Sequence, residues 1–206
     1  MAKLRDNHKI IIALICGVLI GVLWLVAIRY ATYKSDTVHH HANFAVYVNG
    51  VRDEFNNFTF YEEVQSCNSN QLDNPKTRVH MHDEINNLAH VHAHGVTWSQ
   101  FFTNLGYTLG DKVIVTDQGV YVDGQEGNRL TFILNGKQVD TVADRVILSE
   151  ARLLLNYGKE DKATVQKRSD AVARTAAEAN KKNDPSSCSG TKEARFGERL
   201  RQAIGF

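Results

Sequence analysis

The chain has 206 residues, 43% of them hydrophobic and 23% charged, with two prolines and three cysteines. That length suits one domain with appendages, and the composition excludes collagen-like chains, wholly disordered chains and small disulfide scaffolds. A formal net charge of +1 conceals an uneven distribution: residues 1–36 carry five Lys/Arg and two acids, residues 37–158 eight and fourteen, and residues 159–206 eleven and seven. The acidic centre argues against a nucleic-acid-binding body, which needs a basic face for phosphates, and suits one that attracts cations.

Residues 10–28 (IIIALICGVLIGVLWLVAI) form a run of 19 without a charge. A helix of that length spans about 28 Å, close to the roughly 30 Å hydrocarbon thickness of a bilayer. Lys3, Arg5 and Lys9 precede it and Arg29 and Lys34 follow. That slight bias favours a cytoplasmic N-terminus and an extracytoplasmic body. The rival is a cleaved signal peptide, whose apolar core is normally about 7–15 residues and ends at a small-x-small site. The run here is longer, and IRYATYKSD (28–36) offers no such site. The expected order is therefore a cytoplasmic N-terminus (1–9), an uncleaved signal-anchor crossing the cell membrane once (10–29) and a polar linker (30–38). Gly17 and Gly21 make a GxxxG, which lets two helices approach closely, although glycine is common in membrane helices.

In an exported body, Cys67 and Cys188 face an oxidising compartment. They are a candidate disulfide, with two free thiols or a thiol on a partner as the alternatives. Cys16 lies inside the membrane run, and no Cys-x-x-Cys is present, which disfavours thiol–disulfide exchange.

From Asn43 the chain reads as strands. FAVYV (44–48) leads through Asn49-Gly50 to VRDEF (51–55), and LTFIL (130–134) through Asn135-Gly136 to KQVDTV (137–142). Asn-Gly between apolar runs is the strongest short hairpin signal, because both turn residues tolerate positive φ. The recurrence is either a weak internal duplication or a chance repeat of a common hairpin. Between the hairpins, Thr97 with Gln100 makes a capping box and Val96 with Phe101 a hydrophobic staple. Trp98, Phe101, Phe102 and Leu105 line one side of the helix, and Gly106 stops it. Strands follow at 112–116, 120–122 and 152–157. The expectation is an α+β fold: after the N-terminal transmembrane helix, an antiparallel-sheet domain with one main helix over residues 39–158. Its half from Leu130 to Gly158 resembles a β-grasp in pattern. Residues 159–206 are expected as a charged, partly helical C-terminal tail. Ala194, Leu200, Ala203 and Ile204 in it suggest a short amphipathic helix that packs on the body or lies on a membrane or partner.

Nine histidines are present, eight of them between His39 and His94. The informative block is VHMHDEINNLAHVHAH (79–94). Side chains alternate on a strand, so His80 and His82 share a face, as do His90, His92 and His94. In a hairpin turning at Asn86-Asn87 with Asn86 central, His82 would oppose His90 and His80 would oppose His92. Any register whose paired numbers sum to an even value keeps both sets on one face, and a one-residue slip separates them. The intervening Val79, Met81, Ala89, Val91 and Ala93 form one apolar face only in an even register, and burying it is worth several kcal/mol. Imidazoles converging from two such strands can grip one divalent ion. The expected metal ligands are His80, His82, His90, His92, His94 and His41, with His39 and His40 left in the linker. Asp83 and Glu84 stand ready as ligand, outer partner or general base. Imidazole without thiolate suits zinc, copper or nickel, and Met81 on the opposite face disfavours a soft Cu(I) site.

The anchor, HANFAVYVNG (41–50), RVHMHD (78–83), HVHAHGVTWSQFF (90–102), LTFILNG (130–136), LLLNYG (153–158) and Cys-Ser-Gly (188–190) together resemble an uncharacterised family of His-rich single-pass membrane proteins from reduced-genome, candidate-phylum bacteria. The resemblance covers most of residues 41–190. It implies a membrane anchor and little about function; a disulfide-isomerase role attached to some relatives does not suit a chain without Cys-x-x-Cys.

Three functions are compatible with these features. The first is an anchored extracytoplasmic protein that captures or hands on zinc or copper. The second is a zinc-dependent hydrolase or hydratase, with three His ligands and an open position, Asp83 or Glu84 as base and Thr97 as an outer donor. The third is an envelope protein-interaction module in which the His face holds no metal. The expected partners are the lipid bilayer through residues 10–28, a metal ion and, in the third case, an envelope protein.

Overall fold

A computed structural model describes residues 2–33, 38–62, 74–182 and 196–205. Cys67 and Cys188, the candidate disulfide pair, lie outside the described residues, as does Ala194. The chain divides into two compact units, residues 1–35 with 192–206, and residues 36–191.

In the first unit, α1 (Ala2–Ala31) is one continuous helix. Its segment His8–Ala31 is long and apolar enough to cross a membrane, a test that a signal sequence also passes. Every aliphatic side chain from Ile10 to Leu25 is exposed, as a helix surrounded by lipid requires. The second helix of this unit, α6 (Phe196–Ile204), packs against the end of α1. Tyr30 and Phe196 have ring centres 5.9 Å apart, and the Arg199 guanidinium lies 5.8 Å over the Tyr33 ring. The amphipathic C-terminal stretch thus meets the end of α1 within this unit.

The second unit is built on one mixed sheet. Its strands are β1 (His40–Val48), β2 (Val51–Arg52), β3 (Val79–His80), β4 (Leu88–Val91), β8 (Arg129–Leu134), β9 (Lys137–Val139) and β10 (Arg152–Gly158). The order is β3-β4-β1-β10-β8-β9, with β2 paired to the far end of β1. Both expected hairpins form, with Asn49 (φ +50°) and Gly50 (φ +89°) in one turn and Asn135 (φ +53°) and Gly136 (φ +79°) in the other. β10 runs parallel to β1 between them, completing a β-grasp arrangement to which β3 and β4 are added along the β1 edge. Three strands, β5 (Thr108–Leu109), β6 (Val113–Thr116) and β7 (Gly119–Val122), form a separate antiparallel meander. The second strand of the first hairpin stops at Arg52, short of the sequence expectation. Phe55 takes φ +47° and turns its ring into the core.

A one-turn helix, α2 (Pro75–Arg78), leads into β3, and α3 (Trp98–Asn104) carries the expected capping box. The Gln100 N–H donates to Thr97 Oγ1 and the Thr97 N–H to Gln100 Oε1. Its end is a Schellman turn: Gly106 at φ +81° donates to the Thr103 carbonyl, and Tyr107 donates to that of Phe102. The aromatic face of α3 lies on one side of the sheet. Trp98, Phe101 and Phe102 are fully buried with Ala42, Phe44 and Val46 of β1. Each buried aromatic there contributes about 1.5–3 kcal/mol of transfer free energy.

The other side of the sheet departs from expectation. Residues 159–182 are no solvated tail: α4 (Lys162–Asp170) and α5 (Ala176–Ala179) fold across this face. Val165 and Val172 pack on Ala45, Ile133 and Leu154. Arg168 pairs with Glu160 at 2.9 Å and stacks on Tyr47, pinning α4 to the sheet. Beside this small apolar cluster, Asn43 donates to Thr175 Oγ1 and accepts from the Ala176 N–H. Beyond Asn43 on the same face stands His41.

Candidate metal centre

The histidines converge because three strands present alternating residues to one face. β3 and β4 pair antiparallel with His80 opposite His90, and β4 pairs with β1 so that His41 is opposite His90 from the other side. The β3–β4 register sums to an even number, so the apolar set faces away. Val79, Met81, Ala89, Val91 and Ala93 are all buried in the aromatic core. The register is shifted by two residues from a turn at Asn86-Asn87, a slip that preserves the faces. The tight reversal occurs earlier: the Ile85 N–H donates to the His82 carbonyl across Asp83 and Glu84, both at φ +55°. Asn86 instead donates to the Glu54 backbone, and Phe44 donates to the Asn87 carbonyl.

Six rings, of His39, His41, His80, His82, His90 and His92, form one continuous group. Centre-to-centre separations are 4.8 Å for His39–His41, 4.2 Å for His41–His90, 3.6 Å for His82–His90 and 5.0 Å for both His39–His92 and His80–His92. All but the half-buried His39 are buried. One ring nitrogen from each of His39, His41 and His90 lies within 4.8 Å of the others, a group able to hold a metal ion.

The sequence-derived ligand set changes in two places. His94 is exposed, follows the end of β4 at Val91 and is not one of the three residues whose ring nitrogens converge. His39, assigned to the linker, belongs to the group, while its neighbour His40 points the other way and donates from Nε2 to the Ile147 carbonyl at 3.0 Å. The same two-residue spacing that pairs His80 with His82 was available for His39 and His41. Asp83 is an outer partner, 2.8 Å from His82 Nδ1. Glu84 lines a separate cleft of about 510 Å³ with Glu54, Tyr61 and Glu62. Thr97 is occupied as the cap of α3.

Hydrogen bonds fix which nitrogens are available. The His41 backbone N–H donates to Asn180 Oδ1 at 2.9 Å, so that atom is the amide oxygen and accepts from His41 Nδ1–H at 2.7 Å. His41 Nε2 and His90 Nδ1 share a hydrogen bond at 2.9 Å, so the two rings hold each other in place. His80 Nδ1–H donates to the Lys76 carbonyl at 2.8 Å and His82 Nδ1–H to Asp83 at 2.8 Å, which fixes the orientation of both rings. Imidazoles oriented through one nitrogen by a carbonyl, amide or carboxylate are typical metal ligands. Among the described residues, His90 Nε2 and His92 Nδ1 are buried and make no hydrogen bond. Leaving such atoms unsatisfied costs about 1–3 kcal/mol each. Asn180 comes from the end of α5 and carries no local sequence signal of its role.

Burial, reinforced by the neighbouring rings of His82, His41, His80 and His92, holds His90 far below the ordinary histidine range. Burial and then His80, His39, His82 and His41 lower His92 to about 3. Both rings are thus neutral at physiological pH, the form that ligates a metal. No protein-family model, curated protein or solved structure matches this chain.

Proposed function

We propose that this chain is a single-pass membrane protein, N-terminus cytoplasmic, whose extracytoplasmic domain binds a divalent transition metal, zinc or copper, through His39, His41 and His90. The observation that carries the reading is the convergence of three imidazole nitrogens within 4.8 Å in a buried site. His41 is oriented there by Asn180, and a His90 nitrogen lacks any hydrogen bond. An all-imidazole donor set suits zinc or copper over calcium or magnesium, which take oxygen. Orientation rests on the excess of Lys3, Arg5 and Lys9 before the apolar run. The protein captures the ion or hands it on, as a member of the His-rich single-pass family it resembles.

The test is a zinc titration of the full chain in detergent, followed calorimetrically, beside the triple variant His39→Gln, His41→Gln, His90→Gln. Saturable binding of at least one ion per chain, reduced by one in the variant, supports the reading. Equal binding by both proteins, or none by the wild type, overturns it.

A further inference from the structure

The amphipathic helix near the C-terminus takes no part in the histidine site. In α6, nine residues and about 14 Å long, the apolar residues Phe196, Leu200, Ala203 and Ile204 fall within an arc of about 100°. Arg199 and Arg201 stand on either side of that arc. Ala203 is buried, but Phe196, Leu200 and Ile204, spaced i, i+4 and i+8 and so in one row, are exposed. A row of three large apolar side chains on so short a helix needs a cover.

The position of α6 identifies that cover. Phe196, at its start, meets Tyr30, and Gly205, just past its end, stands beside Arg29, where an added Cβ would lie 3.8 Å from Arg29 Nη1. In between, Arg199 lies over Tyr33, and Gln202 shares a cleft of about 330 Å³ with Arg29, Thr32 and Tyr33. Both ends of α6 therefore reach the same last turn of α1. A helix laid alongside α1 would spread those contacts over about nine residues, so α6 crosses α1 instead. That turn is where the candidate span, His8–Ala31, ends. Tyrosines and an arginine, as at Tyr30, Tyr33 and Arg29, are the residue types that occupy the headgroup layer of a bilayer. The crossing also has a sense: Phe196 meets Tyr30 within the span, whereas Arg199 and Gln202 reach Tyr33 beyond it. The apolar edge of α6 is thus turned toward the aliphatic stretch of α1, and its polar edge away from it.

We infer that α6 is a second membrane element, an interfacial helix lying in the headgroup layer of the leaflet in which α1 ends, with Phe196, Leu200 and Ile204 among the acyl chains and Arg199 and Arg201 at the phosphates. The inference rests on the reading of α1 as a membrane span and adds a phospholipid surface as the partner of the C-terminal segment. The body between them, residues 36–191, is then tied to one leaflet at both ends of its sequence.

The experiment places the photo-crosslinker p-benzoylphenylalanine singly at Leu200 and, in a second protein, at Leu19 of α1. Each full chain is reconstituted into vesicles of phosphatidylcholine and phosphatidylglycerol. After illumination, intact-mass spectrometry distinguishes lipid adducts from protein cross-links. Lipid adducts are expected at both positions. Phe196→Ser with Ile204→Ser should lose the adduct at Leu200 and keep that at Leu19. Lipid adducts at Leu19 with only protein cross-links, or none, at Leu200 overturn the interfacial helix and leave the span. An adduct at Leu200 that the double substitution does not diminish overturns the role of the apolar row. No lipid adduct at Leu19 overturns the membrane reading itself, and the inference with it.

Discussion

The two faces of the central sheet are made by the same strands and buried almost equally, yet they are built on opposite terms. Along β1, Ala42, Phe44 and Val46 enter an aromatic core, while His41 and Asn43 enter a polar layer under α5. The first face is held by apolar burial, with the Trp98 Nε1 hydrogen left without a bond there. The second face buries imidazoles that crowd one another and leaves His90 Nε2 and His92 Nδ1 without hydrogen bonds. Such a layer persists because the core opposite it supplies the stability. The comparison teaches that stability and chemistry are separated by the pleat, one residue apart in sequence.

Experiments that sharpen this contrast follow in order of expected size. Phe101→Ala, in the apolar face, should cost about 3–5 kcal/mol in urea unfolding and leave the zinc stoichiometry of the folded protein unchanged. Zinc at a hundredfold excess over its dissociation constant should raise unfolding stability by about 2.7 kcal/mol in wild type and Phe101→Ala alike, and a chelator should reverse it. A core variant that lost the zinc increment would join the two faces. Asn180→Ala removes the acceptor that orients His41 and should weaken zinc about 10–100-fold by calorimetry, with little change in fold.

A pH series separates the faces without mutation. Because the fold holds His90 and His92 below the ordinary value of 6.5, both are neutral in folded and unfolded chains above that pH, and neither affects stability. As pH falls through 6.5 the unfolded chain takes up protons that the fold excludes. The metal-free protein should then lose about 1.4 kcal/mol per pH unit for each histidine. For His92 the loss continues down to about pH 3. Flat stability between pH 7 and about 5 would show that the rings are not buried neutral. The smallest effect is also the most diagnostic. His92→Leu removes a buried nitrogen that makes no hydrogen bond and should raise metal-free stability by about 1 kcal/mol, read by urea unfolding.

Much of this was legible in the chain because alternation is a strong code. The apolar residues between the histidines identified the shared face even though the turn sits at Asp83-Glu84 and not at Asn86-Asn87, since a slip of two residues leaves faces intact. The Asn-Gly hairpins and the capping box were equally readable, being local. The remainder depended on distance. Asn180 reaches His41 across 139 residues, and α4 and α5 are too short and too broken at 171–175 to show an apolar stripe. The exposure of His94 was not legible because strand periodicity does not report where a strand ends; β4 stops at Val91 and the chain turns at Gly95.

The most direct test of the central claim is X-ray absorption spectroscopy of the zinc-loaded full chain. The account predicts a first shell of nitrogen at about 2.0–2.1 Å with the outer-shell scattering of at least three imidazoles per zinc. A shell dominated by oxygen or sulfur, or zinc lost on desalting, would contradict it.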